Sequence, residues 1–373
     1  MSILPVIIGF GGINSAGRSS SHHGYRRLVL DQLPLVDAQQ TRASLASLMG
    51  LLKYDNGAWL DVNGIRVDLD TALTALDPLL QAGTLIRKLE NNLFDPQRVL
   101  FHKRASLHAP AGEAISFVVK RQQLPDTIPL SWLLSNADDG MIQVDIADSF
   151  DILTENYRAS AVNSAGQLPT GFDPLSYYAS RSHPRGLQLT VVGASDAVQS
   201  MGIDWAEILK YVAPDQVSVY AGSSMSQLDY DGNAGLMQAR LLGKKVTSKQ
   251  LALGFAEMPA DFINAYILGN IGTTGTNVAA CATFLYNLRQ GLRDIRSGSH
   301  RLSIIGTSEA PLTPEVIDGY ATMGALINDD ALLFLDKNKG LNTPDHRRAC
   351  RPFGINAGFT LAESAQFIVL CDD

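Results

Sequence analysis

The sequence predicts an α/β fold with a buried sheet, on three observations. Beyond residue 173, short apolar runs alternate with amphipathic stretches of helical period, the pattern of strands and helices stacked in layers. Hydrophobic residues make up 46% of the 373 and charged residues only 18%, which requires a sizeable core and rules out a disordered chain. The chain also opens on Val6-Ile7-Ile8 running into Gly9-Phe10-Gly11-Gly12-Ile13-Asn14-Ser15-Ala16-Gly17, a buried strand followed by a tight turn. A dinucleotide fingerprint counted from Gly9 and Gly11 needs a third glycine where Asn14 stands, so this turn is structural.

After that strand, helical spacing runs from about 26 to 120, with Leu45, Leu48 and Leu52 and then Leu73, Leu76 and Leu80 on repeating faces. Residues 122–173 are rich in Asp, Ser, Asn and Pro around a strand-like Met141-Ile142-Gln143-Val144, and read as inserted or peripheral material. The spacing then predicts a helix over 187–201, a strand over 217–221 and a helix over 256–268 closed by Gly269. A small-residue, β-compatible run over 273–280 leads into an amphipathic helix whose stripe is Phe284, Leu285, Leu288, Leu292 and Ile295. A strand over 302–306 follows, then a helix capped by Thr313 with Pro314 at its first position. Strands over 332–335 and 367–371 complete the pattern.

Composition removes several functions. Thirty Lys and Arg against 37 Asp and Glu give a formal charge of −7, the wrong sign for sequence-independent nucleic-acid binding. No stretch approaches the roughly 20 apolar residues that span a bilayer. The three cysteines, Cys281, Cys350 and Cys371, form no C-x-x-C pair and fit a reducing cytoplasm. Asp229-Tyr230-Asp231-Gly232-Asn233 starts like a calcium loop, but Ala234 and Arg240 stand where Gly and Glu are needed. His22-His23 lacks a further ligand at metal-binding spacing.

One cysteine stands where chemistry is expected. Cys281 lies between the small-residue run and the amphipathic helix, and a helix N-terminus presents unpaired N–H groups and a positive dipole end that favour thiolate. Ala279, Ala280, Ala282 and Thr283 leave room for a substrate carbonyl and for a backbone N–H as oxyanion donor, which makes Thr283 a candidate substrate-binding residue. The plainer reading, a buried structural cysteine, fits the strand–Cys–helix context less well.

The segment Gly272-Thr273-Thr274-Gly275 followed by Ala279-Ala280-Cys281-Ala282-Thr283 resembles the nucleophile motif of the β-ketoacyl synthases, the condensing enzymes of fatty-acid and polyketide assembly. In the same order, Ala221-Gly222-Ser223-Ser224-Met225 is similar to the family's strand end before its acyl pocket, and Ile304-Ile305-Gly306-Thr307-Ser308-Glu309-Ala310 to its G-G-A-E-A strand. Arg351-Pro352-Phe353, Gly358-Phe359 and Glu363-Ser364-Ala365 resemble its R-P-F…G-F…G-E-G-A signature, with Gly354-Ile355-Asn356-Ala357 one residue short and without its charges. The likeness covers about 1–25 and 170–373. It implies a thiolase-like layered αβαβα architecture, of which this chain is the N-terminal half with a mainly helical region inserted at about 26–165. The insertion, with the stretch from Phe172-Asp173-Pro174 to His183-Pro184, resembles the divergent synthases that start fatty-acid chains.

The resemblance implies a reaction as well. Cys281 would take an acyl group from a thioester, and a malonyl thioester would lose carbon dioxide and attack it, with no metal or organic cofactor. Met225 matches an acyl-pocket position, and Lys244 and Lys245 match a basic pair that docks acidic acyl carrier protein. A cytoplasmic homodimer is implied too. The family's two histidines and lysine come from the second half of its fold, and the 92 residues after Cys281 contain no His-Gly-Thr and no Gly-His motif. His300 and His346 are expected at the surface. The chain is therefore expected to be a fragment, inactive alone, or one of two chains that pair. The alternatives are a non-catalytic subunit sharing the fold, or a thiolase or acyltransferase using the same cysteine.

Overall fold

A computed structural model describes residues 3–269 and 272–373. They fall into two compact units, one of residues up to 94 together with 161–373, the other Asp95–Ser160. The first is built on a six-stranded sheet of β1 (Val6–Asn14), β2 (Gly17–Arg18), β3 (Val217–Gly222), β4 (Thr273–Gly275), β5 (Leu302–Glu309) and β6 (Ser364–Cys371), in the order β4-β3-β5-β6-β1-β2. β3 runs parallel to both β4 and β5, whereas β6 lies antiparallel between β5 and β1. Every residue of β3 is buried, as expected for a strand covered on both faces.

Side chains alternate across this sheet and sort its two covers. Val217, Val219, Ala221, Leu302, Ile304, Ala365, Phe367 and Val369 point to one face, under α1 (Arg185–Gln199) and α2 (Met258–Ile263). Ile305, Ile368 and Leu370 point to the other, under α3 (Thr283–Ser297). α3 lies very close to the strands because Gly291 faces them: a methyl there would stand 2.6 Å from Ile305 Cδ1 and Ser303 Oγ.

Several expectations hold at the level of single residues. Thr313 caps its helix by accepting from Val316 N–H. α2 continues as a π turn over Asn264–Leu268 and ends at Gly269 with φ of 65°. The helices Leu35–Leu48 and Leu69–Ala82 pack through Leu45, Leu73 and Leu80.

Three expectations are corrected. The apolar run at 332–335 belongs to a helix, Asp329–Leu335, with Asn328 accepting from Ala331 N–H and two aspartates in the first turn. Helical spacing past residue 82 does not persist: Val99–His108 and Ile115–Lys120 are strands, the second alternating between half-buried and exposed positions. In α3 the expected stripe packs on the sheet through Phe284, Leu288, Leu292 and Ile295, but Leu285 is exposed, and Thr283, Asn287, Gly291 and Asp294 are buried beside the stripe.

The unit Asp95–Ser160 is a small β assembly. Val99–His108 pairs along its whole length with Ser149–Arg158, and Met141–Ile146 sits between Ile115–Lys120 and Trp132–Asn136. Ile142, Val144 and Ile146 point into its core, where the Phe117, Trp132 and Phe150 rings meet at 5.4–6.0 Å. Among the described residues no helix is long and apolar enough to cross a membrane.

Candidate active site

Because β3, β4 and β5 are parallel, their C-terminal ends lie on one rim of the sheet, and that is where chemistry-bearing residues collect. β4 is short, and the chain leaves it through Thr276, Asn277, Val278, Ala279 and Ala280 before α3 begins. Cys281 stands on this turn, exposed, two residues ahead of Thr283. Ala280 beside it has a φ of 48°, a left-handed conformation disfavoured for a residue with a Cβ.

That conformation is held by side chains of α3. Thr283 Oγ1 accepts from Ala279 N–H at 3.0 Å and donates to the Ala280 carbonyl at 2.8 Å. The residue is buried and its hydroxyl is committed in both directions, so it braces the turn and offers no open contact to a substrate. Asn287, one helical turn further, binds the earlier part of the loop.

The rim around the turn is acidic and buried. Glu309, at the end of β5, accepts from the Ser223 hydroxyl and from both the amide and the hydroxyl of Ser224, and burial pushes its carboxyl above the usual range. Asp229 is not part of a metal loop: its Oδ2 accepts from Arg185 N–H at 2.6 Å at the start of α1, and burial raises its carboxyl too. Glu363, at the N-terminal side of β6, forms an ion pair with Arg185 and accepts from Leu168 N–H at 3.2 Å. These groups tie the ends of β3, β5 and β6 to α1.

Of the other sequence candidates, Met225 belongs to this rim, where its backbone N–H bonds Glu309, and the lysines lie apart from it. Met225 is half-buried just past β3, with the Tyr320 hydroxyl 3.6 Å from its sulfur. Lys244 and Lys245 are exposed on the stretch that precedes Gln250–Leu253, Lys244 Nζ lying 5.0 Å above the Tyr230 ring. Neither histidine after Cys281 is a surface residue. His300, with 12% of its side chain exposed, bridges Thr273 Oγ1 at 2.9 Å and Asp294, and His346, equally covered, meets Asp329 Oδ1 at 3.2 Å. Of the other thiols, Cys350 is exposed and Cys371 is half-buried in β6, where burial raises its pKa. Sequence reasoning missed Asn287; a polar residue on the buried side of an amphipathic helix was the available signal.

A sheet layered between helices, with a cysteine on a braced turn between an edge strand and a helix, is the thiolase-like class of fold. The model of the β-ketoacyl synthase N-terminal domain matches residues 144–373, and the chain belongs to that family. It is 49% identical over its full length to the β-ketoacyl-[acyl-carrier-protein] synthase FabY of Pseudomonas aeruginosa, and spans 58% of that protein. The crystal structure of this noncanonical ketosynthase superposes on the whole chain with a TM-score of 0.95, again over 58% of its own length. The fatty acid synthase subunit alpha of Gibberella zeae is 26% identical over 77% of the chain, which covers 19% of it. A β-ketoacyl synthase from Burkholderia phymatum shares the fold, with a TM-score of 0.53 at 14% identity over all of this chain and 60% of that one.

Proposed function

We propose that this chain supplies the nucleophile of a β-ketoacyl-acyl-carrier-protein synthase. The observation that carries the reading is the placement of Cys281: exposed, on a strained turn at a helix N-terminus and at the rim of a synthase-family sheet. The Cys281 thiolate attacks the carbonyl carbon of an acyl thioester, the C–S bond to the donor breaks, and the donor leaves as a thiol after taking a proton. A malonyl thioester then loses carbon dioxide, its α-carbon bonds to the acyl carbon, and the Cys281 thiolate is released. A backbone N–H of the turn would serve the developing oxyanion, other than those of Asn277, Ala279, Ala282 and Thr283, which are bonded within the turn and to α3. The histidines and lysine that assist decarboxylation would come from the family's other half-fold, so turnover by these 373 residues alone is not expected.

The remaining assignments rest on the resemblance. Met225 would line the acyl pocket, Lys244 and Lys245 would meet acidic acyl carrier protein, and Thr283 would act through the turn. The protein would work as a homodimer in the cytoplasm, with 26–165 inserted into the synthase core. The test is direct. Full-length protein incubated with an acyl thioester gains one acyl mass on the peptide that holds Cys281, and Cys281→Ala abolishes that gain. Acylation elsewhere, or none, overturns the reading; release of carbon dioxide from a malonyl thioester then separates condensation from simple acyl transfer.

A further inference from the structure

The helix that follows Cys281 buries a polar side chain that the chemistry above does not use. Asn287 has no exposed surface, and it lies one helical turn after Thr283 on the same face of α3. Both ends of its carboxamide are engaged. Oδ1 accepts from Asn277 N–H at 2.7 Å, and Nδ2 donates to Thr276 Oγ1 at 3.1 Å while facing the Gly306 carbonyl of β5 at 3.5 Å. Asn is a poor choice for a helix interior, and a buried amide is costly unless bonded, so packing alone does not account for the residue.

Its partners place it in the nucleophile turn. Thr276 and Asn277 are the first residues beyond β4, and Ala279 and Ala280 are the last before Cys281. Thr283 grips the later pair and Asn287 the earlier one, so two side chains of one helix hold both ends of the loop. Thr276 has no freedom on its other side. A Cβ added at Gly222, the last residue of β3, would lie 2.2 Å from Thr276 Oγ1. The loop is thus wedged between the end of β3 and the Asn287 carboxamide.

We propose that Asn287 is a positioning residue that sets the height of the Cys281 turn above the rim of the sheet, acting through the Thr276–Asn277 peptide. The proposal rests on Cys281 as the acylated nucleophile. Attack on a thioester requires the sulfur and the oxyanion donors to meet one carbonyl at once, and a misplacement of about 1 Å costs on the order of a hundredfold. Alkylation by a small neutral reagent requires only the thiol.

The test compares these two reactions in full-length protein. Single-turnover acylation of Cys281 by an acyl thioester, at saturation and at half-saturation, is measured beside alkylation by iodoacetamide for the natural protein, Asn287→Leu and Asn287→Asp. Asn287→Leu is expected to acylate about a hundredfold more slowly at saturation, with half-saturation within about threefold and alkylation within about twofold of the natural protein. Asn287→Asp keeps the acceptor for Asn277 N–H and recovers part of the rate. Thr276→Val, which removes the acceptor of Asn287 Nδ2 and leaves both Asn287 and its bond from Asn277 N–H in place, reproduces part of the loss should Asn287→Leu fail to fold. Unchanged acylation in these variants overturns the proposal, as does a parallel fall in acylation and alkylation, which marks general loosening of the turn. Absence of Cys281 acylation in the natural protein overturns both this proposal and the reading beneath it.

Discussion

The two faces of the central sheet are packed on different principles. Under α1 and α2 the contact is apolar: Val217, Val219, Leu302, Ile304, Phe367 and Val369 meet Leu189, Ala194, Ala197 and Ile263, all nearly or fully buried. Under α3 an apolar patch of Ile295, Ile305 and Leu370 shares the space with hydrogen bonds. The Ser218 and Ser303 hydroxyls bond across neighbouring strands at 2.9 Å, the Tyr220 hydroxyl donates to Asp294 at 2.5 Å, and Asn287 reaches the Gly306 carbonyl. Apolar burial is strong but tolerant of small slides and rotations, whereas hydrogen bonds fix both distance and angle. The face that carries α3, the helix after Cys281, is the one that adds directional contacts to its apolar packing.

The sharpest way to break this comparison is to remove a large side chain from the apolar face. Phe367→Ala should lower unfolding free energy by about 3–5 kcal/mol in urea melts, since it leaves a cavity between β6, β5 and α1. The acylation rate of Cys281, measured well below the melting temperature, should stay within about twofold. A large rate loss in this variant would mean that the apolar face positions the site as well. On the other face, Tyr220→Phe removes a bond to a buried carboxylate, and about 1–3 kcal/mol of stability should go with it. Burial and Asp294 together hold the Tyr220 hydroxyl well above the usual tyrosine range, so no pH dependence below 10 is expected from it. A slope in the natural protein that Tyr220→Phe abolishes below that pH would contradict this.

The smallest effect extends the comparison to the rim. Burial raises the Glu309 carboxyl, so between its unfolded value near 4.5 and its folded value the native state binds the extra proton. Stability from this group is therefore present below about 4.5 and declines as pH rises through the folded pKa. Measured against Glu309→Gln, the natural protein should lose relative stability as pH is raised across that window. A relative gain would show that the hydrogen bonds from Ser223 and Ser224 outweigh the cost of burial.

What could be read from the residues depended on whether the signal was local. Thr313-Pro314, Gly269 and the joint at Cys281 are short-range signals, and the structure places a cap, a left-handed stop and a turn there. The run at 332–335 was ambiguous because four apolar residues suit either period; the deciding features were Asn328 and the two aspartates just upstream. α3 shows a deeper limit. Its apolar residues Phe284, Leu288, Leu292 and Ile295 do meet the strands, yet the same contact also buries Thr283, Asn287, Gly291 and Asp294, chosen by how closely a helix can approach and by which polar groups it meets there. Periodicity does not carry that information. Ala234 and Arg240 removed Asp229 from any calcium loop, but nothing local marked it as the buried acceptor at the start of α1, since the partner, Arg185, is 44 positions away.

Gly291 carries a consequence for how the site is specified. The gap between α3 and the sheet is defined by an atom the residue lacks, with Ile305 and Ser303 filling the space a methyl would take. A single added carbon would act as a shim, lifting the middle of the helix and tilting the end from which Thr283 and Asn287 hold the cysteine. The height of Cys281 is thus encoded ten residues away from it, in a glycine buried between helix and sheet.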